Sequence, residues 1–104
     1  MISNQMLQDM KARLQSAFGS RFRGVVLYGS EARGDANEDS DIDLLVLLGA
    51  PISLGQDLET IIDALYPLQL NLERVIEAFP VSADNYEAGE FSLYRNAKSE
   101  GMLI

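Results

Sequence analysis

The chain has 104 residues and a formal net charge of −8 at neutral pH, with neither histidine nor cysteine. This length predicts a single domain over 1–104, the lack of cysteine excludes disulfides and thiolate metal sites, and the acidic balance disfavours stable nucleic-acid binding. The lack of cysteine also fits a cytoplasmic protein, which is the location that we expect. No apolar run approaches the roughly 20 residues that span a membrane, and the polar N-terminal segment does not resemble a signal peptide.

The first half of the chain alternates helical and extended patterns. Apolar residues at spacings of three and four predict a helix over 4–18, and the β-branched run 24–28 predicts a buried strand. Gly29-Ser30 breaks this strand and leads into a single helical turn. After a polar loop at 35–40, the apolar run 41–48 predicts a second strand.

The next elements are one helix and one strand. Ser53 followed by Gln56 resembles a capping box, and Pro67 is expected to end the helix that this box begins. Residues 74–81 predict a third strand, in which Pro80 restricts that end to a sheet edge or to backbone beyond the pairing.

Two short helices are predicted near the C-terminus, over 83–89 behind a Ser82 cap and over 92–100. The apolar residues 102–104 either pack on the protein's own core or meet a partner. The element order predicts an α+β fold in which a small mixed sheet of about three or four strands is flanked by helices.

Asp41 and Asp43 are the acidic residues that a solvated surface explains least well. Residues two apart on a strand point to the same face, roughly 6 to 7 Å apart, so these carboxylates lie side by side at the rim of a core. Like charges in such a place need a compensating cation. The remaining acidic residues of the loop are typical of an exposed polar loop: Asp35, Glu38 and Asp39.

Magnesium fits the Asp41–Asp43 pair better than calcium does. A calcium-binding EF-hand loop counted from Asp35 would need Gly where Ser40 stands and Glu where Val46 stands. Mg²⁺ needs only a few carboxylates and takes its other ligands from water and substrate phosphates.

A phosphate-binding turn is expected just upstream, at Gly29-Ser30. The turn exposes backbone N–H groups, Gly29 permits close approach of the backbone to a ligand, and the Ser30 hydroxyl adds a donor. Arg33 is near enough to add positive charge, with a salt bridge to the acidic loop as its alternative role.

The segment GSEARGDANEDSDIDLLV resembles the signature of the DNA polymerase beta-type nucleotidyltransferase superfamily, a Gly-Ser followed after ten residues by Asp-x-Asp. Its ARG and SD elements are similar to those of the minimal nucleotidyltransferases, stand-alone domains commonly partnered with HEPN-domain proteins in toxin–antitoxin pairs. The resemblance implies a polymerase beta-like fold, ATP as substrate, one or two Mg²⁺ ions on Asp41 and Asp43, and nucleotide binding by Gly29, Ser30 and Arg33.

The resemblance also implies a third carboxylate on a later strand. Glu77, within the apolar run RVIEAFPV, is the first candidate for metal binding and proton acceptance, and Glu73 is the alternative. Relatives more often carry Asp at this point. Glu31 is a second departure, because an acid beside a phosphate-binding turn should weaken nucleotide binding unless its side chain points away.

These features lead to three functional hypotheses. The first is a Mg²⁺-dependent transfer of AMP from ATP to a hydroxyl, notably a tyrosine, of a HEPN-type toxin, which makes the protein an antitoxin. The second is a binding module with little activity that neutralises its partner by covering it. The third is a small-molecule nucleotidyltransferase, for which dimerisation would have to supply a second substrate wall; a homo-oligomer therefore stays open.

Overall fold

A four-stranded mixed sheet with helices on both faces organises residues 2–104, the part of the chain that the computed structural model describes. The strands are ordered β3-β2-β1-β4, with β2 antiparallel to β1 and parallel to β3, and β4 antiparallel to β1. The elements are α1 Asn4–Phe18, a 3₁₀ turn Gly19–Arg21, β1 Phe22–Tyr28, α2 Gly29–Arg33, β2 Ile42–Leu48, α3 Leu54–Gln69, β3 Ile76–Ser82, α4 Ala83–Ala88, α5 Ser92–Glu100 and β4 Met102–Leu103.

This architecture confirms the predicted α+β fold, and each predicted helix and strand is present with its ends shifted by two residues or fewer. The C-terminal apolar residues form the fourth strand, β4, on the edge of the sheet beside β1. None of the helices among residues 2–104 has the length and hydrophobicity needed to cross a membrane.

Strand β2 lies between β1 and β3 and is buried on both faces, which explains its unbroken run of apolar residues. Leu44, Val46 and Leu48 pack against α1 and α3 on one face. Leu45 and Leu47 pack on the other face with residues of α4 and α5. Because side chains alternate along a strand, Asp43 lies on the same face as Leu45.

Helix α3 does not end at Pro67 as the sequence predicted, but continues to Gln69. Pro67 removes only one helical hydrogen bond this close to the helix end. Tertiary bonds hold the last turn instead, because the Gln69 side chain accepts from the Ile76 amide at 2.8 Å and donates to the Arg74 carbonyl at 2.9 Å.

The predicted capping box at the start of α3 is also wrong. Ser53 occupies the N-cap position, but its side chain makes no capping bond, and its amide donates to Asp57 rather than to Gln56, at 3.0 Å. Asp57 is buried and receives two bonds from the Arg21 guanidinium, at 2.9 and 3.0 Å. Arg21 also donates to the carbonyls of Gly49 and Pro51, so this cluster joins β1, β2 and α3 at one end of the sheet.

We expect the substitution Asp57→Asn to lower the free energy of unfolding by about 2 kcal/mol, because it leaves the Arg21 charge without its carboxylate partner. Denaturant unfolding at neutral pH measures this loss. Asp63→Asn removes an exposed aspartate from the same helix and is the control, with little expected change.

The effect of Asp57→Asn should also depend on pH. Hydrogen bonding from Arg21 holds the pKa of the Asp57 carboxyl below its usual range, against the opposing effect of burial. A lowered folded-state pKa gives stability above the unfolded-state pKa, and that stability is lost as pH falls through the folded-state pKa. The difference between wild type and variant should therefore shrink in acid, and a difference that grows below the usual aspartate pKa would contradict this account.

Candidate functional site

Three polar side chains form a row across the sheet where β1 ends and β2 and β3 begin. In the register of the sheet, Tyr28 lies opposite Asp43 on one side, and Glu77 lies opposite Asp43 on the other. Directly opposed residues share a face, so the phenol and the two carboxylates project from the same side of the sheet. The parallel pairing of β2 and β3 thus brings together Asp43 and Glu77, which are far apart in sequence.

The electrostatics of this row show that it concentrates negative charge. Partial burial raises the pKa of the Asp43 carboxyl above its ordinary value, and the nearby carboxyls of Glu77 and Asp41 raise it further, while Arg33 acts in the opposite direction. Burial likewise raises the pKa of the Tyr28 phenol, with added contributions from Asp43 and Glu77. The site therefore disfavours the ionised form of Asp43, and a bound cation would relieve this cost.

The structure separates the two candidates for the third carboxylate. Glu77 is the second residue of β3 and faces Asp43, whereas Glu73 is an exposed residue that precedes the strand. Asp41 lies one residue before β2 and is half-buried, close enough for its charge to act on Asp43. Geometry thus groups Asp41, Asp43 and Glu77 and leaves Glu73 outside.

The Gly29-Ser30 turn lies directly against Asp43. Gly29 has a φ of +71°, in the left-handed region that side chains disfavour, and a methyl group at this position would overlap the Oδ2 atom of Asp43. The short helix that begins with this turn ends at Gly34, where the Asp35 amide donates to the Ser30 carbonyl at 3.1 Å. Glycine is therefore required at position 29 by both backbone conformation and the close approach of the carboxylate.

Arg33 forms the salt bridge that the sequence offered as an alternative to phosphate binding. Its guanidinium lies 3.3 Å from Asp35 and 3.6 Å from Glu100 on α5, and its side chain is half exposed. These pairs are worth little in water, so Arg33 can exchange them for a phosphate group without a large loss.

Glu31 points away from the turn and into the protein, as nucleotide binding at the turn would require of an acid at this position. Its side chain is only 1% exposed, and one carboxylate oxygen lies 2.6 Å from the Arg74 guanidinium. The other oxygen accepts from the Ile2 amide at 3.0 Å. The Glu31 charge is therefore neutralised inside the protein rather than presented to a phosphate.

The acidic group fits Mg²⁺ as a site shared with a phosphate ligand. Among residues 2–104, no three acidic side chains converge closely enough to form a metal cage of their own. Mg²⁺ does not require such a cage, because one or two carboxylates together with substrate phosphates are its usual protein ligands. Asp41 and Asp43 supply hard oxygen donors beside the Gly29-Ser30 turn, and the partly desolvated Asp43 lies among like charges.

Tyr28 and Arg74 belong to this site, although no sequence pattern predicted a role for either of them. Tyr28 is the last residue of a predicted strand, and its position next to Gly29 was the available signal. Arg74 is the first residue of the predicted third strand, and nothing in its surroundings in the sequence indicates a contact with Glu31.

Comparison with known proteins gives matches along most of the chain. The profile of the nucleotidyltransferase domain family matches residues 7–91. A "putative protein adenylyltransferase" of Methanocaldococcus jannaschii is 30% identical over 105 residues, covering 100% of this chain and 99% of that protein. The protein adenylyltransferase MntA of Thermococcus cleftensis is 42% identical over 69 residues, covering 64% of this chain and 68% of that protein.

A solved structure has a similar fold. The crystal structure of a "putative nucleotidyltransferase" from Sulfolobus solfataricus aligns with a TM-score of 0.61, covering 95% of this chain and 78% of that chain. At 17% sequence identity, this likeness shows the fold alone.

We expect Gly29→Ala to lower the free energy of unfolding by about 2 to 4 kcal/mol, from the left-handed backbone and the overlap with Asp43 together. Gly34→Ala is the matched control, because Gly34 has a φ of +80° but open space around the added methyl. The control should show only the backbone part, about 1 kcal/mol. Adding Asp43→Ala should recover part of the Gly29→Ala loss in a double-mutant cycle, and strictly additive effects would rule out the contact.

We expect Asp43→Asn to stabilise the metal-free protein, raising its melting temperature by about 2 to 5 °C, because it removes a charge opposed by Glu77 and Asp41. Thermal unfolding in EDTA measures this gain, with the exposed Glu38→Gln as control. The raised pKa of Asp43 means that its ionised form costs stability at neutral pH. The gain should fade as acid protonates Asp43 in the wild type, and a destabilised variant at neutral pH would contradict the charge account.

Proposed function

Because the chain belongs to the nucleotidyltransferase domain family and is a nucleotidyltransferase, we propose that it transfers AMP from ATP to a hydroxyl group of a partner protein. One observation carries the proposal: Asp43 is opposite Glu77 in the sheet and in contact with the Gly29-Ser30 turn. Carboxylates for a metal ion thereby adjoin a turn that can receive phosphate. The names of the two relatives, both protein adenylyltransferases, support AMP and a protein as the transferred group and the acceptor.

The residues of the site have two roles, metal binding and phosphate binding. Asp41 and Asp43 would hold Mg²⁺, with Glu77 reaching a second ion, and these ions would neutralise phosphate charge and lower the pKa of the attacking hydroxyl. Gly29 and Ser30 bind the phosphates that leave, through backbone N–H groups and the Ser30 hydroxyl.

The transfer is a substitution at the α-phosphorus of ATP. The acceptor oxygen forms a bond to this phosphorus, the bond to the bridging oxygen of the β-phosphate breaks, and pyrophosphate leaves. Glu77 accepts the proton of the acceptor hydroxyl, a role for which it is suited by its exposure at the start of the edge strand β3.

The acceptor that we propose is a tyrosine hydroxyl on a HEPN-type toxin, and its modification would make this protein an antitoxin. This proposal rests on the resemblance of the GSEARGDANEDSDIDLLV segment to the minimal nucleotidyltransferases. Glu77 stands at the open edge of the sheet, and the chain's acidic charge does not favour a polynucleotide acceptor.

A second candidate function is neutralisation of the toxin by coverage alone. Apolar side chains that are more than 40% exposed border Glu77 along the groove between α3 and β3: Ile62, Tyr66 and Phe79. Such a surface is suited to bury against a protein partner. The Asp41→Asn/Asp43→Asn variant separates the two functions, because it should lose neutralisation of a co-expressed toxin if AMP transfer is required and keep it if coverage suffices.

We expect the wild-type protein to bind a non-hydrolysable ATP analogue only with Mg²⁺, and Asp41→Asn/Asp43→Asn to weaken this binding by about 100-fold. Isothermal titration with and without Mg²⁺ measures the difference. Equal binding by the variant and the wild type would overturn the assignment of these carboxylates.

Glu77→Gln should abolish incorporation of labelled AMP into a co-expressed HEPN-type partner, because it removes the proposed proton acceptor. Glu73→Gln is the matched control, an exposed glutamate just before the same strand, and should leave incorporation unchanged. Loss of incorporation in Glu73→Gln with retention in Glu77→Gln would reverse the assignment of the third carboxylate.

A further inference from the structure

Arg74 contacts both parts of the candidate site: the helix that begins with the Gly29-Ser30 turn and the backbone at Asp41. Its Nη1 atom lies 2.6 Å from Glu31 on α2, the helix that contains the Gly29-Ser30 turn. Its Nε atom donates to the Ser40 carbonyl at 2.8 Å, and its Nη2 atom donates to the Asp41 carbonyl at 3.5 Å. One guanidinium thus joins the turn to the backbone that leads into the carboxylate strand.

This arrangement is largely closed to solvent. The side chain of Arg74 is 13% exposed and that of Glu31 is 1% exposed. Removing two charges from water has a large desolvation cost, and apolar residues of similar volume often stabilise a fold equally well. Stability alone therefore does not explain why an ion pair is present here. The hydrogen bonds from Arg74 to the carbonyls of Ser40 and Asp41 give another reason, because they connect the pair to the backbone that leads into β2.

The loop between the turn and β2 depends on this anchor. Most of the residues 35–40 are exposed, and their hydrogen bonds are largely local, such as the Asn37 amide to the Ser40 hydroxyl. The Ser40 carbonyl bond to Arg74 ties the end of this loop to the body of the protein. The next backbone bond to the rest of the sheet is the one from the Ile42 amide to the Val75 carbonyl, at 2.8 Å.

We propose that Arg74 is a positioning residue that sets the distance between the Gly29-Ser30 turn and Asp41, so that both can contact one metal-bound nucleotide. The inference rests on the proposed nucleotidyl transfer and assigns Arg74 no contact with the reacting atoms. Glu31 is its counter-charge, with a carboxylate oxygen 2.6 Å from the guanidinium. Glu31, which departs from the family's usual residue type, thus helps to hold Arg74 in place beneath the site.

The test compares two Arg→Lys substitutions in the full-length protein. Arg74→Lys keeps the charge near Glu31 but cannot reach both the carboxylate and the two carbonyls. Arg21→Lys is the matched control, because Arg21 makes a similar set of bonds at the opposite end of the sheet. Its guanidinium binds the Asp57 carboxylate and the backbone carbonyls of Gly49 and Pro51. Melting temperature, amide hydrogen exchange without metal, and titration with Mg²⁺ and a non-hydrolysable ATP analogue are measured for both.

Both variants should melt at a lower temperature, but only Arg74→Lys should weaken analogue binding, by about tenfold or more. Only Arg74→Lys should also speed hydrogen exchange at the amides of Asp39 and Ser40 in the metal-free protein. The inference is overturned if Arg74→Lys leaves both readouts unchanged, or if Arg21→Lys changes them equally.

Failure of the proposed function has a different signature. In that case the wild-type protein shows no Mg²⁺-dependent binding of the analogue, and Asp41→Asn/Asp43→Asn behaves as the wild type does. Faster exchange in Arg74→Lys would then still show that Arg74 anchors the loop, and unchanged exchange would overturn that role as well.

Discussion

The position of β2 between two hydrogen-bonded neighbours is the constraint on which the site depends. A strand that is paired on both edges and buried on both faces can carry charge only at its ends. Its first residues therefore collect the carboxylates, and the antiparallel and parallel partners add Tyr28 and Glu77 from either side. The resulting repulsion follows from the register of the sheet, which places Glu77 directly opposite Asp43, and a bound cation would lower it.

Two arginine clusters hold the sheet at its two ends in similar ways. Arg21 joins Asp57 to the carbonyls that follow β2, and Arg74 joins Glu31 to the carbonyls that precede it. Each places a planar guanidinium against a buried carboxylate and donates to backbone carbonyls that regular strand pairing does not reach. The strand that carries Asp43 is thereby fixed at both of its termini, which limits how far the row of carboxylates can relax.

Local chemistry made most of the fold predictable from the sequence. Periodicity located the helices and the three longer strands, and the alternation of side chains along β2 was enough to place Asp43 on the same face as Leu45. Pro67 and Ser53 misled for reasons that lie outside their local sequence. The Gln69 side chain bonds to residues of the next strand, and Asp57, which Arg21 holds from a distant segment, accepts the Ser53 amide in place of Gln56. Such bonds join elements whose packing no local pattern specifies.

The site was predictable only where its parts are close in sequence. Gly29-Ser30 and Asp41 with Asp43 form a motif of fixed spacing, whereas the choice of Glu77 over Glu73 depends on the register of a parallel pair joined through α3. A shift of one residue would turn Glu77 to the other face. Arg74 gave no signal at all, because an ion pair between distant segments leaves no periodic trace in the chain.

The space beside Gly29 has a consequence for how this protein can change over evolutionary time. The Asp43 carboxylate occupies the volume that a side chain at position 29 would need, so a substitution of Gly29 depends on which residue stands at position 43. A lineage that exchanged Asp43 for a smaller residue would free the turn to accept an asparagine, which tolerates left-handed backbone. Loss of the glycine in a descendant would then record that its carboxylate had already gone.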